Sequence, residues 1–259
     1  MQSSHLIYLS ISLLLLKKLN IYIIDTYIQR MTFTHIIKFL LPQVCVLCKV
    51  YDRNLSLCSN CVKDLQPAAE VGVNWIYSVY SYKDENFKKI IYSLKYHHKY
   101  DLADSLMFHL STNFTNFIKK YIEFNKMQHS ASIVLVPIPI SPDRLVARGY
   151  NQSELIAQAF IKYLPNQNIS VQNLIKRKGI SIKLSHLHSV EERAATLNDT
   201  IYAETSLENK ENTHLNPKDT LYVLVDDVTT TGSTLYAARK ALTDTGIDPL
   251  HVIAITVGH

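Results

Sequence analysis

The segment from residue 221 to residue 235 constrains the fold more than any other part of the chain. An apolar run with strand composition, Leu221–Val225, is followed directly by two carboxylates, Asp226 and Asp227. A loop rich in hydroxyl groups, Thr230–Thr234, comes next, and a stretch with helical composition follows it. A buried strand, a loop and a helix in this order predict a doubly wound α/β sheet, which binds its ligands at the carboxyl ends of the strands.

The polar residues of this segment predict a site for a phosphorylated ribose. Asp226 and Asp227 stand where such a sheet places ligands, and their carboxylates can accept hydrogen bonds from ribose hydroxyl groups. Beside them, residues 230–234 offer hydroxyl groups and backbone N–H groups at the start of a helix, which suits a phosphate monoester. The alternative is that the acids only end a strand and the Thr and Ser residues only cap a helix. The order of strand, paired acids, hydroxyl-rich loop and helix favours the ligand site.

The apolar periodicity of the remaining chain predicts strands that alternate with helices, which is typical of a mostly parallel sheet with right-handed crossovers. The predicted strands span residues 74–80, 133–140, 169–175, 220–225 and 251–257. The predicted helices span residues 87–96, 102–118, 151–160 and 233–245. The polar segment 176–200 has no clear periodicity, and we expect its part around residues 180–197 to form a mobile loop over the active site.

All four cysteines form two C-x-x-C pairs near the amino terminus, Cys45 with Cys48 and Cys58 with Cys61. Two such pairs can hold one zinc ion with four thiolates, and a site with four protein ligands leaves no position for water, so its role should be structural. The metal would replace a hydrophobic core that about thirty residues are too few to build. A redox-active pair and free buried thiols are the alternatives, and the doubled pairing favours zinc in a reducing compartment.

Composition and charge leave the partner of this chain open. The 259 residues are 47% hydrophobic and 19% charged, as in ordinary globular proteins, and the net charge of +5 suits either a phosphate ligand or nucleic acid. The apolar run Leu6–Leu16 is too short for a membrane span and lacks the features of a secretion signal, so we expect a cytoplasmic protein. Met31 has the features of a natural start, so we expect residues 1–30 to be a non-native or disordered extension.

Together with the cysteine pairs, the run Val225–Thr234 resembles the competence protein F (ComF) family, in which a zinc module precedes a type I phosphoribosyltransferase domain. Its sequence, Val-Asp-Asp-Val-x-Thr-Thr-Gly-x-Thr, is similar to the motif that binds phosphoribosyl diphosphate (PRPP). Three further segments resemble the family pattern, namely Leu94–Tyr96, Val136–Gln152 and Glu191–Arg193. The chain departs from that pattern at three positions, Ser181, Leu184 and Thr196.

The resemblance implies a zinc-binding module over residues 31–70 and a phosphoribosyltransferase-like domain over residues 71–259. It implies that the protein binds PRPP with Mg²⁺ and transfers phosphoribose to an unidentified acceptor, in connection with DNA uptake during natural competence. The alternative is a non-catalytic PRPP-binding or DNA-handling protein, with single-stranded DNA or a DNA-uptake helicase as its partner. The implied catalytic residues are Asp226, Asp227 and Arg193. The expected substrate-binding residues are Thr229, Thr230, Thr231, Gly232, Ser233 and Thr234 for the 5-phosphate. For the diphosphate they are Arg144 and Arg148, on a predicted loop after the strand at residues 134–138, together with Lys95.

Overall fold

The computed structural model describes residues 43–52, 55–70, 72–96, 100–127, 132–163, 168–179, 201–203 and 220–259. Its strands are β1 (Gln43–Val44), β2 (Tyr51–Asp52), β3 (Ile76–Tyr80), β4 (Ser132–Pro137), β5 (Ile169–Val171), β6 (Ile175–Arg177), β7 (Ile201–Ala203), β8 (Thr220–Val228) and β9 (Val252–Gly258). Its α-helices are α1 (Ser59–Lys63), α2 (Glu85–Tyr96), α3 (Tyr100–Phe124), α4 (Pro142–Arg148), α5 (Gln152–Lys162) and α6 (Ser233–Thr243). None of the described helices combines the length and the apolar character that a membrane crossing requires.

The chain divides into two compact units. In the first, the described residues are those of β1 and β2, which pair in antiparallel fashion with Val44 opposite Tyr51. The second unit contains residues Cys45–Val50 and the described residues from Leu55 to His259, including the cysteine pairs and the helices α1 to α6. The domain boundaries predicted at residues 30 and 70 stay predictions.

A five-stranded sheet lies at the centre of the second unit, with its strands parallel and in the order β3-β9-β8-β4-β5. The strands β8 and β9 are buried along nearly their whole length. Continuous burial of this kind is typical of parallel strands that are covered on both faces of the sheet. The predicted α/β fold with a parallel sheet is therefore confirmed.

The chain leaves the two central strands β4 and β8 in opposite directions. From β4 it passes through α5 to β5 at one edge, and from β8 it passes through α6 to β9 on the other side. Right-handed crossovers that run in opposite directions place their helices on opposite faces of the sheet. α5 packs against α3, whereas α6 packs against the small antiparallel sheet of β6 and β7. A crevice therefore opens between the carboxyl ends of β4 and β8, where ligands bind in sheets of this topology.

The single strand predicted over residues 169–175 is wrong. β5 ends at Val171, and β6 begins at Ile175 in a different sheet. A polar residue, Gln172, follows β5, and its backbone N–H still donates to the Leu135 carbonyl at 3.0 Å before the chain turns away from β4. The mobile loop predicted around residues 180–197 lies outside the described residues, and β6 occupies the first two positions of the aperiodic segment that begins at residue 176.

The elements around the candidate site extend beyond their predicted bounds. β8 continues three residues past Val225, so both acids lie within the strand, and Asp226 pairs with Thr256 of β9. The segment after β4 forms the helix α4, where the sequence predicts a loop. Pro142 begins this helix, and Gly149, with a φ angle of +78°, ends it because a left-handed backbone suits glycine. The arginines predicted to bind diphosphate are therefore held on a helix.

Candidate functional site

The two acids of the predicted site lie at the carboxyl end of β8, beside the crevice between β8 and β4. Asp227 is 7% exposed, and Asp226 is partly buried. Because successive side chains of a strand point to opposite faces of a sheet, the two carboxyl groups have different neighbours. Asp226 contacts helix α5, whereas Asp227 contacts a lysine from helix α2.

The Asp226 carboxyl group accepts two hydrogen bonds. Its Oδ1 atom accepts from the Ser153 hydroxyl group and from the Asp227 backbone N–H, both at 2.9 Å. Burial of this carboxyl group, together with the negative charge of Asp227, raises the pKa of Asp226 from 3.8 to about 7. The two hydrogen bonds and the charge of Lys95 oppose the increase without cancelling it. Near neutral pH, part of the Asp226 population is therefore a carboxylic acid, which can donate a hydrogen bond as well as accept one.

The Asp227 carboxylate forms an ion pair with Lys95. The Lys95 Nζ atom lies 2.7 Å from Asp227 Oδ2, and the two side chains are 22% and 10% exposed. The other oxygen, Oδ1, accepts a hydrogen bond from the Val228 backbone N–H at 2.9 Å. These two largely buried charges stabilise each other, because either charge without its partner would be poorly solvated. The acid pair therefore combines a carboxyl group that readily holds a proton with a carboxylate that is paired with a lysine.

The turn between β8 and α6, together with the first residues of α6, contains the residues predicted to hold a 5-phosphate. Gly232 has a φ angle of +75°, and a Cβ atom there would lie 3.3 Å from the Tyr236 ring, so both conformation and space favour glycine. Gly232 stands at the N-cap of α6 and has no side chain that could cap the helix, and the first turn contains no acidic residue. The Ser233 backbone N–H donates to the Thr231 hydroxyl group at 3.4 Å. The positive end of this helix dipole is therefore not offset by an acid in its first turn, which suits an anion.

The hydroxyl residues of this turn differ in exposure. The exposed or partly buried ones are Thr230, Thr231, Ser233 and Thr234. The Thr231 hydroxyl group donates to the Ser233 hydroxyl group at 3.1 Å, which orients both side chains at the helix start. Thr229 is only 5% exposed, and its backbone N–H donates to the Gly258 carbonyl of β9 at 2.9 Å. Its role as a ligand residue stays a prediction, and its observed contact joins the turn to the sheet.

Two side chains fix the turn between α4 and α5. The Tyr150 hydroxyl group donates to the Leu94 carbonyl at 2.6 Å, which attaches the turn to the end of α2. Asn151 is the N-cap of α5, where its Oδ1 atom accepts from the Ser153 backbone N–H at 3.1 Å. The Asn151 Nδ2 atom donates to the Ile138 carbonyl at 2.9 Å, just beyond β4. These bonds hold the start of α5 against the acid pair.

Arg148, the last residue of α4, is buried beside this turn. It is 9% exposed, its Nη1 atom donates to Gln152 Oε1 at 2.8 Å, and its Nη2 atom donates to the Tyr96 hydroxyl group at 3.2 Å. The guanidinium carbon lies 4.9 Å from the centre of the Tyr96 ring. Among the residues that the structure describes, no carboxylate forms an ion pair with Arg148. A buried cation with neutral partners is typical of a site that receives an anion.

Three residues of the site carried no functional prediction: Ser153, Gln152 and Arg177. Gln152 is 1% exposed, and its Nε2 atom has no hydrogen-bond partner in the described structure. Arg177 lies at the end of β6, where burial and the charge of Arg144 lower its pKa while the charge of Asp226 raises it, so these three side chains share one electrostatic environment. Their position in the first turn of α5, the helix that precedes β5 in the crossover from β4, could have indicated Ser153 and Gln152. No sequence signal singles out Arg177.

The structure brings together three of the segments that carry the family resemblance. The segments Leu94–Tyr96 and Val136–Gln152 meet through the hydrogen bond of Tyr150 to Leu94, and Lys95 pairs with Asp227 of the segment Val225–Thr234. Arg144 lies exposed on α4, near this junction. Arg193, predicted to be catalytic, lies outside the described residues, as do residues 181, 184 and 196. The catalytic and binding roles assigned from the sequence stay predictions.

The four cysteines form a separate cluster that is suited to a metal ion. Their sulfur atoms all lie within 4.8 Å of one another, and none of them forms a disulfide. The Sγ atoms of Cys48 and Cys58 are 3.8 Å apart, the spacing of two thiolates that bind one tetrahedral zinc ion at about 2.3 Å each. Within the described part of the chain, this is the one group of three or more potential metal ligands. The cysteines are thus positioned to hold a metal ion, in agreement with structural zinc.

The acidity of these thiols also favours a bound cation. Burial raises the pKa of Cys45, but hydrogen bonds from the backbone N–H groups of Cys58, Cys48 and Leu47 outweigh it and bring the pKa to about 6. Burial raises the pKa of Cys61 strongly, and hydrogen bonds with the neighbouring thiols raise it further. Four thiols so close together therefore do not all ionise unless a cation compensates their charge.

The cysteine segment is anchored on α3. The Ser56 backbone N–H donates to the Ser105 hydroxyl group at 2.8 Å, and the Leu57 carbonyl lies 3.0 Å from His109 Nε2. Ser56 and Leu57 are almost completely buried. The loop that carries the thiols is therefore fixed to the same structural unit as the parallel sheet.

Comparison with known proteins identifies relatives of this chain. No protein-family model matches it. Competence protein F of Haemophilus influenzae is 31% identical to it over 121 residues, which cover 46% of this chain and 47% of that protein. Competence protein ComFC of Bacillus subtilis is 27% identical over 123 residues, which cover 48% of this chain and 43% of that protein. The chain thus spans about half the length of the curated relatives it matches.

Proposed function

We propose, taking this chain as a protein of the ComF type, that it binds PRPP and transfers the phosphoribosyl group to an acceptor. The resemblance to the ComF family that the sequence motifs predict is confirmed by the two relatives. Both relatives are named competence proteins, and we infer that this chain also acts in competence, in a step connected with DNA uptake.

One arrangement carries the proposal: the acid pair Asp226 and Asp227 at the crevice, followed at once by a helix start without an acidic residue. Carboxyl groups can bind the two adjacent hydroxyl groups of a ribose, and the N–H groups and hydroxyl groups of the turn can bind its 5-phosphate. A neutral Asp226 can donate to a ribose hydroxyl oxygen while the Asp227 carboxylate accepts from one. Because the acids bind hydroxyl groups and the turn binds phosphate, the site favours a phosphorylated sugar over a phosphate alone.

Different described residues would perform different steps of the transfer. The turn from Thr230 to Thr234 would hold the 5-phosphate, and Asp227 would offset the positive charge that develops on the ribose ring as its anomeric bond breaks. Arg148 and Arg144 would bind the diphosphate, because guanidinium groups match its oxygens in planar, bidentate geometry. The electron pair of the broken C–O bond leaves with the diphosphate. The acceptor atom forms the new bond to the anomeric carbon and releases its proton to water.

The donor groups of the site are compatible with Mg²⁺ that arrives with PRPP. Apart from the cysteines, the described residues contain no cluster of three or more potential metal ligands, so the protein offers at most the two carboxylates of Asp226 and Asp227 here. Magnesium is commonly held by one or two carboxylates together with substrate phosphates and water. When bound, the ion would neutralise negative charge on the diphosphate.

Titration calorimetry with PRPP and Mg²⁺ tests the ligand assignment. The double variant Asp226→Asn and Asp227→Asn keeps the side-chain shapes and removes both carboxylates, so we expect PRPP affinity to fall on the order of 100-fold, or about 3 kcal/mol. Asp244→Asn replaces an exposed acid at the C-cap of α6; it is the matched control and should bind PRPP as the parent protein does. Unchanged affinity in the double variant would refute the assignment.

A non-catalytic role is a second candidate, favoured by the departures from the family pattern at Ser181, Leu184 and Thr196. In this case the protein binds PRPP as a signal and acts with single-stranded DNA or a DNA-uptake helicase. An assay of diphosphate release in the presence of candidate bases and amines distinguishes the transferase from the non-catalytic role. Release with one acceptor supports the transferase, and tight PRPP binding with no release from any of them supports the non-catalytic role.

A further inference from the structure

The phosphate turn, residues 229–234, is joined to the carboxyl end of β9 by two hydrogen bonds. The Thr229 backbone N–H donates to the Gly258 carbonyl at 2.9 Å. The His259 Nε2 atom lies 3.1 Å from the Thr230 carbonyl oxygen. Because a carbonyl oxygen can only accept a hydrogen bond, Nε2 is a ring nitrogen that carries a proton and donates it. The imidazole of His259 therefore fixes the direction of the Thr230 carbonyl.

The direction of this carbonyl also sets the direction of the next N–H group. The C=O group of one residue and the N–H group of the next belong to one planar peptide unit, and in a trans peptide they point in opposite directions. The Thr231 N–H therefore points away from the His259 ring. Because β9 and β4 flank β8 on opposite sides, this direction leads from the end of β9 toward the crevice. Within the described residues the Thr231 N–H has no hydrogen-bond partner, so it is available to a ligand.

The backbone of His259 is held on two sides. Its N–H donates to the Tyr80 carbonyl of β3 at 2.9 Å, and its carbonyl accepts from the Tyr82 N–H at 2.7 Å. The preceding residue, Gly258, lies against the fully buried Phe87 ring, where a Cβ atom would lie only 2.2 Å from a ring carbon. Glycine therefore permits a close approach of β9 to α2 that a larger residue would prevent. The imidazole extends from fixed backbone, so its hydrogen bond has a defined direction before a ligand binds.

The orientation of this one peptide matters for an anion. A turn binds phosphate when its backbone N–H groups converge on the phosphate oxygens. If the peptide between Thr230 and Thr231 were reversed, the turn would lose a donor and would present a carbonyl oxygen to the anion in its place. The hydrogen bond from His259 opposes this reversal, because the reversed carbonyl would leave the imidazole without its acceptor.

We propose that His259 is a positioning residue of the phosphate turn: its Nε2–H group holds the Thr230 carbonyl outward and so directs the Thr231 N–H toward the phosphate of the ligand. His259 acts through the turn and needs no contact with the ligand itself. The role toward a 5-phosphate rests on the proposed function, whereas the orientation of the peptide does not. A ring that only filled space could be replaced by phenylalanine. A ring that positions the turn could be replaced by glutamine, whose amide N–H can donate in place of Nε2.

Two variants of the full chain test this role, His259→Phe and His259→Gln, with His251→Phe at the amino end of β9 as the matched control. Calorimetric titrations with Mg²⁺ use two probes: ribose 5-phosphate, which needs the phosphate turn, and inorganic diphosphate, which the proposed function assigns to Arg144 and Arg148. We expect His259→Phe to bind ribose 5-phosphate about 10-fold more weakly, because one hydrogen bond to a charged group is lost, and to bind diphosphate as the parent does. His259→Gln and the control should stay within about 3-fold of the parent for both probes.

Unchanged binding of ribose 5-phosphate by His259→Phe, or an equal loss in His259→Gln, would overturn the positioning role. An equal loss for diphosphate would show a general change of the site and would overturn it as well.

Hydrogen exchange of the ligand-free chain tests the same hydrogen bond independently of the proposed function. The Thr229 N–H, which is bonded to Gly258, should exchange about 5-fold faster in His259→Phe, because the turn opens more often, but not in His259→Gln. If the parent binds neither probe, the proposed function fails and the exchange result decides alone. Faster exchange confined to His259→Phe then supports the oriented turn, and equal exchange in all the chains overturns it.

Discussion

Replacing Asp226 with asparagine is expected to make the protein more stable above neutral pH. The folded protein holds the Asp226 proton up to a pKa of about 7, whereas the unfolded chain releases it near the ordinary value of 3.8. Between these values the folded state binds more protons, so the free energy of unfolding falls as pH rises. The stabilisation is complete below about pH 4 and is lost as the pH passes through about 7.

The magnitude follows from the width of this window. Each pH unit within it corresponds to about 1.4 kcal/mol, so the parent should lose about 3 kcal/mol between about pH 5 and pH 7. Asparagine does not ionise, so Asp226→Asn escapes this loss. Its Oδ1 atom can still accept from the Ser153 hydroxyl group and the Asp227 N–H, although bonds to a charged acceptor are stronger. Because the hydrogen bonds to the carboxylate already act on the pKa of about 7, we expect the stability difference between variant and parent to grow by the parent's full loss, about 3 kcal/mol from about pH 5 to pH 8.5.

Urea unfolding at a series of pH values measures this difference, with the fluorescence of the single tryptophan, the buried Trp75, as the signal. Asp244→Asn is the control, because its side chain is 60% exposed and its pair with Lys240 contributes little. Its stability relative to the parent should change by less than about 0.5 kcal/mol over the same range. A difference for Asp226→Asn that stays constant with pH, or shrinks as pH rises, would show that the acid is not protonated in the folded protein.

Two further predictions concern the metal and the ion pair. Elemental analysis should find about one zinc ion per chain, and Cys48→Ser should lower the zinc content and the melting temperature, because a site with four thiolates loses a ligand; full zinc content in this variant would contradict the assignment. Lys95→Met should lower the free energy of unfolding by about 1–3 kcal/mol, because it leaves the Asp227 carboxylate without its cation, and adding Asp227→Asn should restore most of the loss. A double variant no more stable than Lys95→Met in urea would contradict this pairing.

The acid pair and the phosphate turn could be predicted because strand, acids, glycine and helix are contiguous in the sequence. Each part is fixed by local rules: the alternation of a buried strand, the left-handed φ angle at Gly232, and a helix start after it. The same holds for the C-x-x-C pairs, whose spacing predicts the cluster that the structure contains. The parallel sheet followed from alternating strands and helices in the same way.

The partners of the acids could not be predicted, because they come from segments distant in sequence. Ser153 reaches Asp226 across 73 positions, and Lys95 reaches Asp227 from another helix. Local patterns carry no information on which helix packs over which strand end. The short helix α4 was missed for a related reason: residues 142–147 are all exposed, so it has no buried apolar stripe that periodicity could reveal.

At this edge of the sheet Asp227 pairs with Lys95, but Asp226 and Arg148 do not pair with each other in the described structure. Asp226 is held near Ser153 and tends to keep a proton, while Arg148, bonded to the adjacent Gln152, has only neutral partners. A site selected for stability alone would bring this arginine and this acid into contact, and the ion pair would lower the pKa of the acid. Keeping them apart leaves a proton donor for hydroxyl groups on one side and a cation for phosphate oxygens on the other. A ligand with both kinds of group, such as a sugar diphosphate, completes the missing interactions, and we therefore expect its binding to stabilise the fold.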